Sequence, residues 1–248
     1  MNNTGGTLIL GASGGIGSTL ARTLSHKGER VVLAGRDSKT LQELGMELDS
    51  KTIIIESMDI ESISKAYTTA EEVLGTIDGT VNCIGTSLLK PSHTISSEQW
   101  QDLVDTNLTS AMGTVKGASK VMMKKGGSIV LIAAACGRIG MPYHDAISAT
   151  KAGVIGLTLS AAATYSNRGI RVNCVAPGLI DTPMTTAITE HEGTLRSSES
   201  MHPISRIGQP SEVVSAITWL LDRLNTWVTG QVIGVDGGLG SLLTRTNK

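Results

Sequence analysis

The sequence predicts a single α/β domain in which a parallel sheet of about seven strands is doubly wound, with helices on both faces. Short apolar runs alternate with longer helical patterns along the chain, and most of these runs are continuously apolar. Such strands are buried on both faces, as in a parallel sheet between two helix layers. Glycine is abundant, at 29 of 248 residues, and phenylalanine is absent. We expect one domain over residues 1–248, with many tight turns and an aliphatic core.

Each element is predicted from its own local pattern. The seven predicted strands cover residues 7–10, 31–34, 52–56, 80–84, 128–133, 171–175 and 231–235. Six helices are predicted at residues 16–27, 39–48, 62–74, 98–123, 146–166 and 212–221. Side-chain oxygens before apolar runs, as at Ser97 and Ser211, are typical of helix starts. The long unassigned stretch at about 178–209 is interpreted as a substrate lid, because loops of this length are usually functional.

Composition excludes several classes of function. Lys and Arg number 21 and Asp and Glu number 22, so the net charge of −1 provides no attraction to nucleic acid or to an anionic membrane. The three cysteines are widely spaced without a CxxC pair, which argues against a disulfide framework or a metal site. We therefore expect a cytoplasmic protein that acts on a small molecule.

A glycine-rich loop follows the first strand and leads directly into a helix. It contains Gly11, Ser13, Gly15, Ile16 and Gly17. Glycines at this spacing allow a tight turn and place a helix N-terminus beside a pyrophosphate. The strand before and the helix after give the motif its context. The sequence therefore predicts a Rossmann-type dinucleotide site.

The end of the second strand indicates which dinucleotide binds. A carboxylate at this position accepts hydrogen bonds from the adenosine ribose, whereas an arginine pairs with a 2′-phosphate. The sequence has Gly35 followed by Arg36. NADP(H) is therefore favoured over NAD(H).

Further motifs extend over nearly the whole chain and resemble those of the short-chain dehydrogenase/reductase family. Beyond the glycine loop, the matching residues are Asp59, Asn82, Gly85, Asn107, Lys151, Pro177, Gly178 and Thr182. The resemblance implies that Asp59 caps the adenine and that Asn82 and Gly85 belong to a cofactor-binding turn. It implies a structural and proton-relay role for Asn107, and makes Lys151 the active-site lysine. Pro177, Gly178 and Thr182 would hold the nicotinamide carboxamide.

The sequence departs from the family pattern at its two proton-handling positions. The family places a tyrosine four residues before the lysine and a serine thirteen residues before that tyrosine. These positions hold Ile147 and Ala134. Neither side chain can donate a proton or a hydrogen bond, and the loss of such groups typically costs ~10² to 10⁴-fold in rate. Ordinary carbonyl reduction is therefore not expected from this site.

Three interpretations remain open. In the first, another residue supplies the proton, and His144 is the candidate because its offset from Lys151 resembles that of the tyrosine in enoyl reductases of the same superfamily. His191 and His202 in the lid are weaker candidates. In the second, the protein binds NADP(H) without turnover, as a sensor or partner subunit. In the third, it is a non-redox isomerase, lyase or cyclase, with Cys136 as a nucleophile.

The resemblance also implies self-association. Small residues are frequent between 149 and 163, and in the family this helix and the 98–123 helix form a four-helix dimer interface. Trp219 and Trp227, near the last strand, resemble a second association surface. We therefore expect a homodimer or a homotetramer.

Overall fold

The computed structural model describes residues 5–243 as one seven-stranded parallel sheet between two layers of helices. The strands are β1 (Gly6–Leu10), β2 (Val31–Gly35), β3 (Lys51–Ile54), β4 (Ile77–Asn82), β5 (Gly127–Ile132), β6 (Ile170–Pro177) and β7 (Val232–Val235). Their spatial order is β3-β2-β1-β4-β5-β6-β7. The predicted fold class is confirmed. Because the order reverses between β1 and β4, a crevice is expected at their carboxyl ends.

The helices follow the predicted positions closely. They are α1 (Gly15–His26), α2 (Ser38–Glu47), α3 (Ile60–Leu74), α4 (Ser97–Val104), α5 (Ser110–Met122), α6 (Asp145–Tyr165), α7 (Thr186–Thr189), α8 (Glu192–Met201) and α9 (Pro210–Leu221). Successive strand residues point to opposite faces of the sheet. Leu8 and Leu10 accordingly pack with α3, α5 and α6, whereas Ile9 packs with α1, α2 and α9.

Three details differ from the sequence-based prediction. The predicted helix 98–123 is divided by a π-helical turn at Asp105–Thr109. The stretch predicted as a loop at about 178–209 contains α7 and α8. The outermost strands β3 and β7 are partly exposed rather than buried on both faces, because an edge strand has a neighbour on only one side.

Helix α6 is the central helix of one layer. Among the described residues, the helical segment Asp145–Arg168 is the one that is long and apolar enough to cross a membrane. The core helix of an α/β domain meets the same criterion, and α6 packs against β6. Its position in the helix layer accounts for its apolar composition.

Candidate active site

The loop between β1 and α1 is shaped by glycines at positions that exclude a side chain. Gly11 has φ +70°, and a Cβ there would lie 2.7 Å from the backbone carbonyl carbon of Cys83. A Cβ on Gly17 would lie 2.2 Å from the carbonyl oxygen of Gly11. Gly14 caps α1 without a side-chain hydrogen bond, so the first amide groups of the helix can bind an anion. The loop therefore fits the pyrophosphate of a dinucleotide.

The tip of β2 lies beside this loop. A Cβ on Gly35 would be 3.5 Å from the Ser13 hydroxyl oxygen. Arg36 is exposed at the tip. The carboxylate of Asp37 accepts hydrogen bonds from the backbone N–H groups of Lys39 and Thr40 and from the Thr40 hydroxyl. Asp37 therefore caps α2, and Arg36 is the exposed basic residue at the tip.

Asp59 has a structural task in addition to the one that the resemblance implies. Its carboxylate accepts a hydrogen bond from Ser57 and, at 2.7 Å, from the backbone N–H of Ser62. These hydrogen bonds hold the pKa of Asp59 below its usual range. The residue is the N-cap of α3. Capping alone therefore accounts for an ionised Asp at this position.

The turn after β4 is held by a buried amide. The Asn82 side-chain oxygen accepts a hydrogen bond from the Ile84 N–H at 2.9 Å, and its Nδ2 donates to the Ser110 hydroxyl at 3.2 Å. A Cβ on Gly85 would lie 3.3 Å from Asn107 Oδ1 and 3.5 Å from Lys151 Nζ. Gly85, Asn107 and Lys151 therefore meet at the carboxyl end of the sheet.

Asn107 is positioned by the π-helical turn. Its side chain accepts from the Thr86 N–H at 3.1 Å and donates to the Thr86 carbonyl at 3.0 Å. Single π turns are frequent at functional sites, because the extra residue redirects a side chain that a regular helix would point elsewhere. The amide of Asn107 thus fixes the loop that follows Gly85.

Lys151 lies in a buried environment that the sequence did not predict. Its Nζ donates to the Ile132 carbonyl at the end of β5, at 2.9 Å. Burial lowers the pKa of Lys151 to about 8. The thiols of Cys83, Cys136 and Cys174 surround the amine, and burial raises their own pKa values. The titratable neighbours of the lysine are therefore neutral thiols. Within residues 5–243, no carboxylate contributes to the shift in its pKa.

Ala134 and Ile147 share one small apolar cluster. Ala134 begins the turn after β5, and Ile147 is buried in the first turn of α6. They pack with Leu103, Cys136, Ala146, Leu88, Ile95 and Met141. Hydrocarbon therefore occupies the side of the site where the resemblance would place a serine and a tyrosine.

His144 lies at the start of α6. Its Nδ1 is 2.7 Å from the Pro142 carbonyl oxygen, so Nδ1 carries a hydrogen and donates it. Nε2 is then the nitrogen that can exchange a proton with another molecule. The adjacent Tyr143 is exposed and has φ +63°.

The segment that follows β6, which begins the predicted lid, lies against the glycine loop. A Cβ on Gly15 would lie 2.8 Å from Thr182 Cγ2. Pro177 ends β6, and Gly178 follows it beside β7, where its N–H donates to the Val235 carbonyl. The predicted cofactor residues of the glycine loop and of this segment are therefore neighbours.

The two lid histidines have different environments. His191 is exposed, whereas His202 is 2% exposed and has both ring nitrogens in hydrogen bonds. The structure therefore makes His202 a poor source of a substrate proton.

Comparisons with known proteins find relatives over nearly the whole chain. Residues 11–240 match the family model described as enoyl-(acyl carrier protein) reductase. The chain is 36% identical over 239 residues to carbonyl reductase family member 4 of Danio rerio, covering 95% of this chain and 98% of the relative. It is 32% identical to the 3-oxoacyl-(acyl-carrier-protein) reductase FabG of Vibrio harveyi, covering 94% and 96%.

Solved structures give the same result. A variant of actinorhodin polyketide ketoreductase crystallised with NADPH superimposes with a TM-score of 0.90 at 30% sequence identity. The match covers 97% of this chain and 99% of the ketoreductase chain.

Proposed function

Because the chain belongs to the short-chain dehydrogenase/reductase family, a family of NAD(P)-type oxidoreductases, we propose that it is an NADP(H)-dependent enzyme with an atypical proton-donor set. It transfers a hydride to or from a small organic substrate. The observation that supports this proposal most strongly is the convergence of Gly85, Asn107 and Lys151 beside the apolar cluster of Ala134 and Ile147. One end of the site is built for a cofactor, and the other lacks the usual acid.

NADP(H) is the proposed cofactor, and when bound it supplies or accepts the hydride. Gly11, Ser13, Gly15, Ile16 and Gly17 would hold the pyrophosphate. Arg36 would pair with the 2′-phosphate, and Asp59 would face the adenine.

The remaining cofactor residues lie nearer the reaction centre. Asn82 and Gly85 would belong to the cofactor-binding turn, and Lys151 would bind the ribose hydroxyls. Pro177, Gly178 and Thr182 would orient the carboxamide. The ketoreductase neighbour crystallised with NADPH is consistent with this assignment.

The choice of NADP(H) follows from charge at the β2 tip. Within residues 5–243, no carboxylate forms an ion pair with Arg36. The nearest acid in the sequence, Asp37, is already the cap of α2. A guanidinium in this position can bind a phosphate through two parallel hydrogen bonds.

The proposed substrate is one whose reduction depends little on a proton-donating side chain. A ketone becomes an alkoxide as it accepts hydride, and hydrocarbon around Ala134 and Ile147 would leave that oxyanion unstabilised. Hydride converts an iminium ion into a neutral amine, and it converts an activated alkene into an enolate, whose delocalised charge needs less stabilisation than that of an alkoxide. His144 Nε2 is the proposed proton donor, since Nδ1 is committed to Pro142.

The same apolar cluster supports one alternative, a cofactor-binding subunit that does not turn over. In that case Lys151 and Asn107 serve only ribose binding and helix geometry. A non-redox reaction through Cys136 is less well supported, because burial raises the pKa of its thiol and a protonated thiol is a poor nucleophile.

A cytoplasmic homodimer or homotetramer that binds neither nucleic acid nor membrane is part of the proposal. Exposed apolar side chains support self-association. Trp227 is 98% exposed, and Trp219, Leu224 and Leu159 are each about half exposed or more. A contiguous apolar patch formed by such side chains would mark a contact between subunits.

Calorimetric titration with NADPH and with NADH tests the proposal first. A panel of ketones, enones and imines is then added to the complex while the reduced-nicotinamide absorbance is followed. Tight NADPH binding with oxidation by enones or imines is expected. Binding without any oxidation would instead favour the non-catalytic subunit, and failure to bind either nucleotide would reject the cofactor assignment.

A further inference from the structure

We propose that His202 is a positioning residue that locks the lid helix α8 to the segment after β6, and that the lock holds only while its imidazole is neutral. His202 directly follows α8 and is 2% exposed. Its Nδ1 lies 2.7 Å from the Ser198 carbonyl oxygen within α8. Its Nε2 lies 3.1 Å from the Leu179 backbone nitrogen. One side chain thus joins two segments that are 23 residues apart.

These two partners determine where the imidazole carries its hydrogen. A carbonyl oxygen only accepts hydrogen bonds, so Nδ1 must be the donor. A backbone N–H only donates, so Nε2 must be the acceptor and cannot carry a hydrogen. The ring is therefore neutral, in the Nδ1–H tautomer. A second proton on Nε2 would face the Leu179 N–H and break that hydrogen bond.

The surrounding backbone is shaped to this ring. A Cβ on Gly178 would lie 2.5 Å from His202 Nε2, so the close approach requires glycine. A Cβ on Gly237, in the turn after β7, would lie 3.6 Å from His202 Cβ. The Ile204 N–H donates to the Gly237 carbonyl at 3.2 Å. The lid, the segment after β6 and the turn after β7 therefore meet at one imidazole.

The nearby carboxylates are already occupied by other donors. The Asp236 carboxylate accepts from the Gly238 and Gly240 N–H groups, each at 3.0 Å, and lies 3.6 Å from the Arg138 guanidinium. The Glu212 carboxylate pairs with Arg206 at 2.6 Å and accepts from the Gln209 N–H at 2.8 Å. Neither is left to partner an imidazolium.

Charge on the lid helix does not change this conclusion. On α8, Glu199 contacts His202 through its backbone carbonyl, which accepts the His202 N–H at 3.1 Å. The charged groups Glu192 and Arg196 form an exposed pair with each other.

Solvent can reach the ring from one side. A cavity of about 340 Å³ is lined by His202, Arg206, Glu212 and Asp236, together with the Gly178–Ile180 backbone. Protons can therefore exchange through the cavity, although the ring itself is buried. A proton on Nε2 would remove the acceptor for the Leu179 N–H, break that hydrogen bond and release α8.

The functional consequence rests on the proposed function, in which Gly178 and Thr182 orient the carboxamide. Leu179 lies between these two residues. Release of its N–H would loosen the segment and weaken NADPH binding. We expect NADPH affinity to be about tenfold lower at pH 5.5 than at pH 8.

Two variants separate the lock from a merely structural role. In His202→Gln, the amide NH₂ can donate to the Ser198 carbonyl and the amide oxygen can accept from Leu179, but this side chain does not titrate. In His202→Phe, neither hydrogen bond forms. Exposed His191 provides the matched control, His191→Gln.

The first readout uses the protein without nucleotide. Nitrogen-15 NMR of the imidazole reports the tautomer, and amide hydrogen exchange reports the protection of Leu179 after correction for intrinsic rates. We expect the Nδ1–H tautomer at pH 8 and a loss of Leu179 protection of tenfold or more at pH 5.5. His202→Gln should stay protected at both pH values. An Nε2–H tautomer, or wild-type protection that does not change with pH, would overturn the proposal.

The second readout is NADPH affinity by calorimetry at the same two pH values. A tenfold loss in wild type, absent from His202→Gln, supports the lock. If no nucleotide binds at either pH, the proposed function is wrong. The amide hydrogen exchange of Leu179 then still tests whether His202 forms the lock. If nucleotide binds and Leu179 protection is insensitive to pH, the lock alone fails. If His202→Phe does not fold, the comparison of wild type with His202→Gln still tests the proposed lock.

Discussion

The two proposed halves of the crevice are built by different means. The nucleotide half contains the glycine loop and the β2 tip, and the catalytic half contains Asn107, Ala134, Ile147 and Lys151. In the nucleotide half, glycines are required by backbone contacts: a Cβ on Gly17 would lie only 2.2 Å from a carbonyl oxygen. In the catalytic half, Lys151 and Asn107 are held in place, but Ala134 and Ile147 pack as hydrocarbon. Under the proposed function, the fold keeps the residues that bind the cofactor and lacks the usual proton donors, because the two tasks depend on different side chains.

The largest effect is expected from removing the proposed acid in the catalytic half. His144→Phe should lower turnover of any substrate found by ~10² to 10⁴-fold, the usual contribution of general acid catalysis. NADPH affinity should stay unchanged, because His144 lies outside the nucleotide half. The exposed His191→Phe is the matched control in steady-state kinetics. Undiminished turnover in His144→Phe would remove this residue from the mechanism.

The next effect concerns the nucleotide half. Gly17→Ala places a methyl group against the Gly11 carbonyl, and strain of 1–3 kcal/mol corresponds to a loss of NADPH affinity of about 5- to 150-fold. Gly14→Ala in the same loop is the control, because its Cβ has 3.4 Å to its nearest neighbour. Calorimetry measures both, and a thermal melt verifies folding. Equal affinities in the two variants would contradict the steric account of the loop.

Arg36 distinguishes the two cofactors within the nucleotide half. Arg36→Ala removes charge-assisted hydrogen bonds worth about 1.5–3 kcal/mol, so NADPH affinity should fall roughly 30-fold. NADH lacks the 2′-phosphate and serves as the internal control, with unchanged affinity expected. A parallel loss for both nucleotides would mean that Arg36 contributes only to folding.

The smallest effect comes from the titration of Lys151. Burial lowers the pKa of Lys151 to about 8, so its ammonium charge is present below that pH and absent above it. NADPH affinity should therefore decrease about three- to tenfold between pH 7 and pH 9, as a charged donor becomes a neutral one. Lys151→Met should bind more weakly at pH 7 and lose this pH dependence. A wild-type affinity that stays constant over this range would contradict the assignment of Lys151 to the ribose.

The sequence predicted the sheet well because local patterns determine it. The runs at β1, β2, β5 and β6 are apolar at nearly every position, and all four strands formed where expected. The glycine loop could be predicted equally well, because its strand, loop and helix are adjacent in sequence.

Other features depend on contacts that local patterns do not contain. Helix α8 is largely polar and exposed, with Ser198 as its buried residue, so it has little apolar periodicity. The three thiols around Lys151 come from the residue after β4, from β6 and from the turn after β5, and their proximity exists only in the folded sheet. The role of His202 likewise depends on Leu179, which lies far from it in sequence.

The most direct test of the contrast between the two halves restores the missing groups. Ala134→Ser combined with Ile147→Tyr should leave NADPH affinity within a few-fold of wild type. It should raise the rate of NADPH oxidation with a simple ketone by ~10² to 10⁴-fold over a nearly inactive wild type. A wild-type protein that already reduces that ketone, at a rate the double substitution does not increase, would contradict the account.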